Sequence, residues 1–152
     1  MSELPLVIGI GNPERGDDRS GLAVVERLLA LGPPGLRIAR LSGDTTRLLE
    51  LWREADDVVL VDMVFCDRWV PGTLHRFDLC QQPLPYDVTC SSHGVDVSQV
   101  VELARVLDTL PPRLELLGIV GAATTLGAPM CAPVAAAVER AALSLAGLEP
   151  QP

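Results

Sequence analysis

Two adjacent carboxylates, a third carboxylate closing an apolar run and one histidine ahead of an amphipathic stretch could do chemistry together in this 152-residue chain. They are Asp17 and Asp18, then Asp62, then His93. Two carboxylates and a neutral imidazole make a reasonable oxygen/oxygen/nitrogen donor set for a divalent transition metal, with other positions left to water or substrate. Spacing alone does not demand a metal, because the positions lie far apart in sequence. Acids after a turn are often caps at a helix N-terminus. A histidine after two serines, Ser91 and Ser92, also reads as a polar loop or capping residue. The only other histidine, His75, falls in the alternating segment Leu74-His75-Arg76-Phe77 and reads as solvent-facing on an edge strand.

These groups need elements to hold them. Leu6–Ile10 is a short continuous apolar run, the pattern of a strand covered on both faces. Gly11 and Pro13 end it, and Ser20 to Leu31 reads as a helix stopped by Gly32-Pro33-Pro34-Gly35. Leu36, Ile38 and Leu41 mark a second strand, partly exposed because Arg37 and Arg40 interleave. The turn Ser42-Gly43-Asp44-Thr45-Thr46 opens a short helix to about Arg53. Val58–Val61 is a second buried strand, expected to end at Asp62, and Thr73–Phe77 an edge strand. From Asp78 to Ser92 there is little periodicity, and an irregular stretch of that length is often functional. A helix from Val97 to Leu107, a strand from Leu114 to Val120 and a final helix from Pro133 to Leu145 complete the chain.

Strands alternating with helices predict an α/β fold. Three layers are expected, with a twisted, mostly parallel sheet of about five strands and helices on both faces. Without internal repeats or linkers, residues 1–152 read as one domain, with a frayed tail at about 147–152. Such sheets bind ligands in a crevice at the carboxyl ends of their strands, where Asp18, Asp62 and His93 are expected.

Composition narrows the partners. The chain is 48% hydrophobic but only 3% aromatic, so its core must be aliphatic. A net charge of −8 argues against nucleic acid or an anionic membrane as partner. The first apolar run is broken by Gly9, too early for a signal peptide or a membrane span. Cys66, Cys80, Cys90 and Cys131 form no C-x-x-C pair and read as reduced, structural thiols of a cytoplasmic protein. Gly9-Ile10-Gly11 superficially suggests a dinucleotide fingerprint, but Glu14 occupies the third glycine position and no acid closes the second strand. There is no lysine for a phosphate loop, no H-E-x-x-H helix and no G-x-S-x-G elbow.

Three blocks nevertheless resemble one family, the hydrogenase maturation proteases. The first is Gly9-x-Gly11-Asn12-Pro13-x-x-Gly16-Asp17-Asp18-x-x-Gly21. The second is Val58-Val59-Leu60-Val61-Asp62 followed by Pro71-Gly72-Thr73. The third is Ser92-His93 with Gly118-Ile119-Val120 further on. Order and spacing agree over about residues 5 to 145.

The resemblance implies an endopeptidase that trims the C-terminal extension of a nickel–iron hydrogenase large-subunit precursor. It implies that Asp18, Asp62 and His93 are both the catalytic and the metal-binding residues. Their nickel would be supplied by the precursor, aligning the scissile bond and either polarising its carbonyl or activating a water. The first ligand is Glu in some members and Asp in others, so Asp18 is a variant of the pattern. Gly11, Asn12, Gly43, Asp44 and Thr45 would line the substrate cleft. Gly11 and Gly16 would let the backbone carry Asp18 close to an incoming protein, and Asp17 would cap or orient the turn. The partner would be the precursor, with no nucleic acid and no membrane, and with a monomer favoured. A nickel-sensing assembly chaperone without peptidase activity is the alternative.

Overall fold

The computed structural model describes residues 4–90, 96–122, 124 and 126–148. Strand β1 (Leu6–Ile10) is buried at all five positions. It lies between β2 (Arg37–Leu41) and β3 (Asp57–Phe65), parallel to both. Beyond β3 come β6 (Arg113–Val120), also parallel, and the antiparallel edge strand β4 (Leu74–Asp78), giving the order β2-β1-β3-β6-β4. A two-residue strand β5 (Thr89–Cys90) pairs antiparallel with Val64 and Phe65, past the point where β1 stops. It lies inside the stretch that reads as irregular, because two residues carry no periodicity.

Helices cover both faces. On one, α1 (Ser20–Leu31) and α4 (Ala132–Leu145) bury Val25, Leu28, Ala137 and Ala141 against Val7, Val61 and Leu117 of the sheet. On the other, α2 (Leu48–Leu51) and α3 (Val97–Val106) bury Leu48, Val97, Val100 and Ala104 against Ile8, Leu60 and Leu116. Each fully buried Val, Leu or Ile side chain contributes about 1.5–3 kcal/mol by leaving water. The layered α/β prediction therefore holds, with aliphatic side chains on both sides of a mixed sheet. No helix among the described residues is long and apolar enough to cross a membrane.

One expectation fails at β3, which does not end at Asp62 but runs on to Phe65. Met63 and Val64 find parallel partners in Ile119 and Val120, and β5 supplies the other side. An acid inside a strand is tolerated here because the strand has partners beyond it.

The connections create a topological switch. From β1 the chain steps through α1, on one face, to β2. It returns through α2, on the opposite face, to β3 on the far side of β1. The crevice of an open α/β sheet forms at such a reversal, at the carboxyl ends of the diverging strands. Here that place is the top of β1 and β3.

Close packing sets the position of α1. A Cβ on Gly21 would fall on the carbonyl oxygens of Ile10 and Val61, and a Cβ on Gly9 would meet the Gly21 carbonyl and Val25. The first turn of α1 thus rests directly on β1 and β3. At its other end Gly32, at φ 61°, closes the helix with its N–H donating to the Leu28 carbonyl (2.9 Å), and a Cβ there would meet nothing. Gly21→Ala is therefore expected to lower stability by more than about 2 kcal/mol through backbone overlap, and Gly32→Ala by about 1 kcal/mol through its left-handed φ alone. Urea unfolding midpoints of the two variants would check this order, which equal losses would contradict.

Candidate active site

At the switch point the pairing of β1 with β3 ends at Gly9 opposite Val61, so Asp62 is the first residue of β3 beyond its β1 partners. On its other side it pairs with Gly118 of β6. Asp62 is buried, with 1% of its surface exposed. Its Oδ1 accepts the N–H of Met63 (2.8 Å), while its Oδ2 has no hydrogen-bond partner among the described residues. Burial first, and the charge of Asp18 second, push its carboxyl well above the usual range; the Met63 N–H opposes this, and Asp96 adds to it.

Asp18 is the other half of this arrangement. It lies on the 3-10 turn Gly16–Arg19 that leads from β1 into α1, and only 4% of it is exposed. Its N–H donates to the Arg15 carbonyl (2.9 Å), and its own carbonyl accepts the N–H of Asn12 (3.0 Å). That carbonyl occupies the space a Cβ on Gly11 would need. Glycine at position 11 is thus required by the turn that places Asp18.

Asp17 faces the other way and is fully buried. Its Oδ1 accepts the N–H of Cys131 (2.8 Å), and its Oδ2 accepts the N–H of Ala122 (2.8 Å) and the Cys131 thiol (3.2 Å). The carboxylate thereby fastens the turn after β1 to both ends of the loop between β6 and α4. Gly121 allows this approach, since a Cβ there would meet the Met63 sulfur and the Asp17 side chain. The expectation that Asp17 orients the turn holds, but a cap on α1 does not: the residue before α1, Arg19, makes no side-chain cap bond. Sequence reasoning did not foresee the partners of Asp17, which lie more than a hundred residues away.

His93, with Ser91, Ser92 and Gly94, lies outside the described residues. The described residues that flank this segment, Cys90 and Asp96, both interact electrostatically with Asp62. The buried Cys90 thiol is pushed well up by burial and then by the charges of Asp62 and Asp96. Asp96 begins α3 in a capping box, accepting the Gln99 N–H (3.0 Å) while Gln99 Oε1 accepts the Asp96 N–H (2.9 Å). The D-x-x-Q spacing of Asp96 and Gln99 carried that signal in the sequence. Among the described residues no group of three or more His, Cys, Asp or Glu could hold a metal ion. What they contribute is a buried carboxylate pair with an unpartnered oxygen, and that pair fits a divalent cation.

The other residues expected in the cleft lie at the same edge, because Ile10 and Leu41 are in register where β1 and β2 end. Gly11 donates its N–H to the Leu41 carbonyl (3.1 Å), and Asn12 Oδ1 accepts the Glu14 N–H (2.9 Å). Gly43 is exposed at φ 97° and Thr45 is buried. Asp44 is engaged locally: its Oδ1 accepts the Thr46 hydroxyl (2.6 Å) and N–H (3.0 Å), which hold its carboxyl below the usual range. His75 is not simply solvent-facing. Its ring stacks on Trp69 at 3.5 Å between centroids, and its Nε2 lies 3.2 Å from the Thr73 hydroxyl. Burial, then the nearby Arg68, lower its pKa. All four cysteines are free thiols, as expected.

The two adjacent roles predict opposite effects of one substitution. Asp62 has a native pKa above its unfolded one, so its ionisation weakens the fold as pH rises from the unfolded-state value, about 4, through the native value. Asp62→Asn is expected to melt at or above the wild-type temperature at pH 7, with the difference vanishing below about pH 4. Asp17→Asn sets an amide donor against two backbone N–H groups and should lose about 1.5–3 kcal/mol at pH 7. Thermal melts across pH 3–8 distinguish these effects; a clearly lower melt for Asp62→Asn would make Asp62 a structural cap.

Known proteins agree with this architecture. HybD, a [NiFe] hydrogenase maturation protease from Thermococcus kodakarensis, superposes with a TM-score of 0.76 at 19% identity, over 99% of this chain and 100% of that one. HycI, a [NiFe] hydrogenase maturation protease from Thermococcus kodakarensis KOD1, gives a TM-score of 0.76 at 26% identity, over 95% and 91% of the two chains. The maturating endopeptidase HybD from E. coli gives 0.71 at 20% identity, over 95% and 90%. No curated protein matches the chain. A family model described as hydrogenase maturation protease matches residues 42–147, which include Asp62 and His93. By that match over most of its length, the chain belongs to the hydrogenase maturation protease family.

Proposed function

We propose that the protein is an endopeptidase that removes the C-terminal extension of a nickel–iron hydrogenase large-subunit precursor, in the cytoplasm, once that precursor carries nickel. Asp18, Asp62 and His93 recognise the nickel, which arrives as part of the substrate. The observation that supports this reading is the buried pair of Asp18 and Asp62 at the strand switch point, with Asp62 Oδ2 left without a partner among the described residues. A cation brought by the substrate removes the repulsion between the two carboxylates and gives that oxygen a partner. The approach of Cys90 and Asp96 to Asp62 supports a place for His93 at the same centre.

Within this scheme each residue has a bounded task. Asp62 and Asp18 present oxygen donors from a rigid strand and a rigid turn, so the metal-bearing end of the precursor is accepted in one orientation. Asp17 holds the turn of Asp18 against the β6–α4 loop and leaves the carboxylate of Asp18 its own direction. Orientation of the scissile bond follows from the position of the nickel in the precursor, which can lower the barrier by the entropy already lost on binding. When bound, the nickel supplies a Lewis acid next to that bond.

Incubation of the protein with the precursor, with and without nickel, followed by mass spectrometry of the C-terminal peptide, tests the proposal. Peptide release only from the nickel-loaded form is expected, and equal release from the nickel-free form would overturn metal recognition. Asp62→Asn and His93→Ala should each lower processing at least about a hundredfold, as loss of a residue needed for reaction does. Full activity of either would remove that residue from the site. Binding of the nickel-loaded precursor without cleavage would instead identify an assembly chaperone.

A further inference from the structure

Along the turn that carries Asp18 lies a groove of about 520 Å3 that none of the roles above uses. One wall is the turn Pro13, Glu14, Gly16 and Arg19; the other is the β6–α4 loop at Leu126, Pro129 and Met130. Its walls are held at a fixed width. The Gly127 N–H donates across it to the Glu14 carbonyl (2.7 Å), and Asp17, next to the wall residue Gly16, accepts from Cys131, next to the wall residue Met130. The groove is thus continuous with the turn that carries Asp18.

Its chemistry is mixed in a particular way. The loop wall is apolar, and Leu126 is 62% exposed there. In a chain of net charge −8, six of the twelve arginines lie in ion pairs among the described residues, such as Arg27 with Glu139 and Arg40 with Glu26. Arg19 and its neighbour Arg15 have no side-chain ion pair or hydrogen bond among the described residues. Of these two, Arg19 lines the groove, where the carboxylate present is that of Glu14, with no ion pair between them among the described residues. An exposed apolar wall beside an unpaired guanidinium matches a peptide segment bearing one apolar and one acidic side chain.

We infer that this groove seats the precursor segment next to the scissile bond, with an apolar side chain on Leu126 and Met130 and a carboxylate on Arg19. The inference rests on the proposed peptidase function for the identity of the segment. It makes Arg19 a specificity residue rather than a catalytic one: it fixes which chain enters, and Asp18 and Asp62 meet what that chain carries.

Arg19→Glu and Met130→Asp decide the matter, with Arg19→Lys as the conservative variant. Arg53→Glu makes the same charge change at an exposed arginine in the turn before β3, at the amino end of that strand. Steady-state cleavage and direct binding of the nickel-loaded precursor are both measured on the full-length protein. Arg19→Glu and Met130→Asp should each raise KM and Kd about tenfold with kcat within about twofold, the pattern of lost binding that is shared by ground state and transition state. Arg19→Lys should fall between wild type and Arg19→Glu, and Arg53→Glu should match wild type. Wild-type Kd in Arg19→Glu, or an equal rise in Arg53→Glu, would overturn the groove assignment. If the wild type binds the precursor but does not cut it, the peptidase reading fails while the Kd comparison still decides the groove. A wild type that does not bind the precursor overturns both.

Discussion

Two carboxylates taken out of water within reach of one another constitute an unfavourable arrangement that a fold must be strong enough to hold. Asp62 meets that situation inside a strand, with Asp18 across the top of β1. The strain is borne by packing that cannot shift. The first turn of α1 touches the backbone of β1 and β3 through Gly21 and Gly9, so the turn bearing Asp18 cannot retreat. β3 is paired beyond Asp62 by β5 and β6, so the strand cannot fray there either.

The contrast between neighbouring acids shows how environment assigns roles. Asp17 and Asp18 are adjacent and both buried. Asp17 accepts two backbone N–H groups and a thiol, which stabilise its charged form and make it part of the framework. Asp62 accepts one N–H on one oxygen and leaves the other without a partner among the described residues. A saturated carboxylate stabilises a structure, whereas an unsaturated one in the same core destabilises it until something arrives to complete its coordination.

How much of this could be read from residues alone depends on the range of the forces involved. β1, α1, α3 and β6 were legible because their apolar periodicity and their Gly and Pro stops are local signals. The turn after β2 was legible from its small polar residues for the same reason. The extent of β3 was not, because Asp62 looks like a strand end until Ile119, Val120 and Cys90 are known to lie beside the next residues. β5 was missed because a two-residue strand exists only through its partner. The same holds at the site. The types of Asp18 and Asp62 were visible and the family blocks pointed to them, but the role of Asp17 rests on Ala122 and Cys131, and no spacing rule connects residues so far apart. The steric need for Gly11 was not legible either, because the carbonyl that fills its missing side chain belongs to a turn whose path is not written in its composition.

The carboxylate pair also bears on how metal recognition can be conditional. On the proposed reading the protein brings at most two carboxylates and one imidazole, a set that leaves further coordination positions unfilled. A free divalent ion gains little from so incomplete a set. It must lose water without a full shell in return, and the carboxyl of Asp62 resists ionising before the ion is present. An ion already held by the precursor brings the remaining ligands with it, so the same three residues bind it tightly only in that company. Because burial and the charge of Asp18 raise the proton affinity of Asp62, a cation competes with a proton for that carboxylate. Discrimination between loaded and unloaded precursor then needs no moving lid, only a fold rigid enough to keep Asp62 buried while it waits.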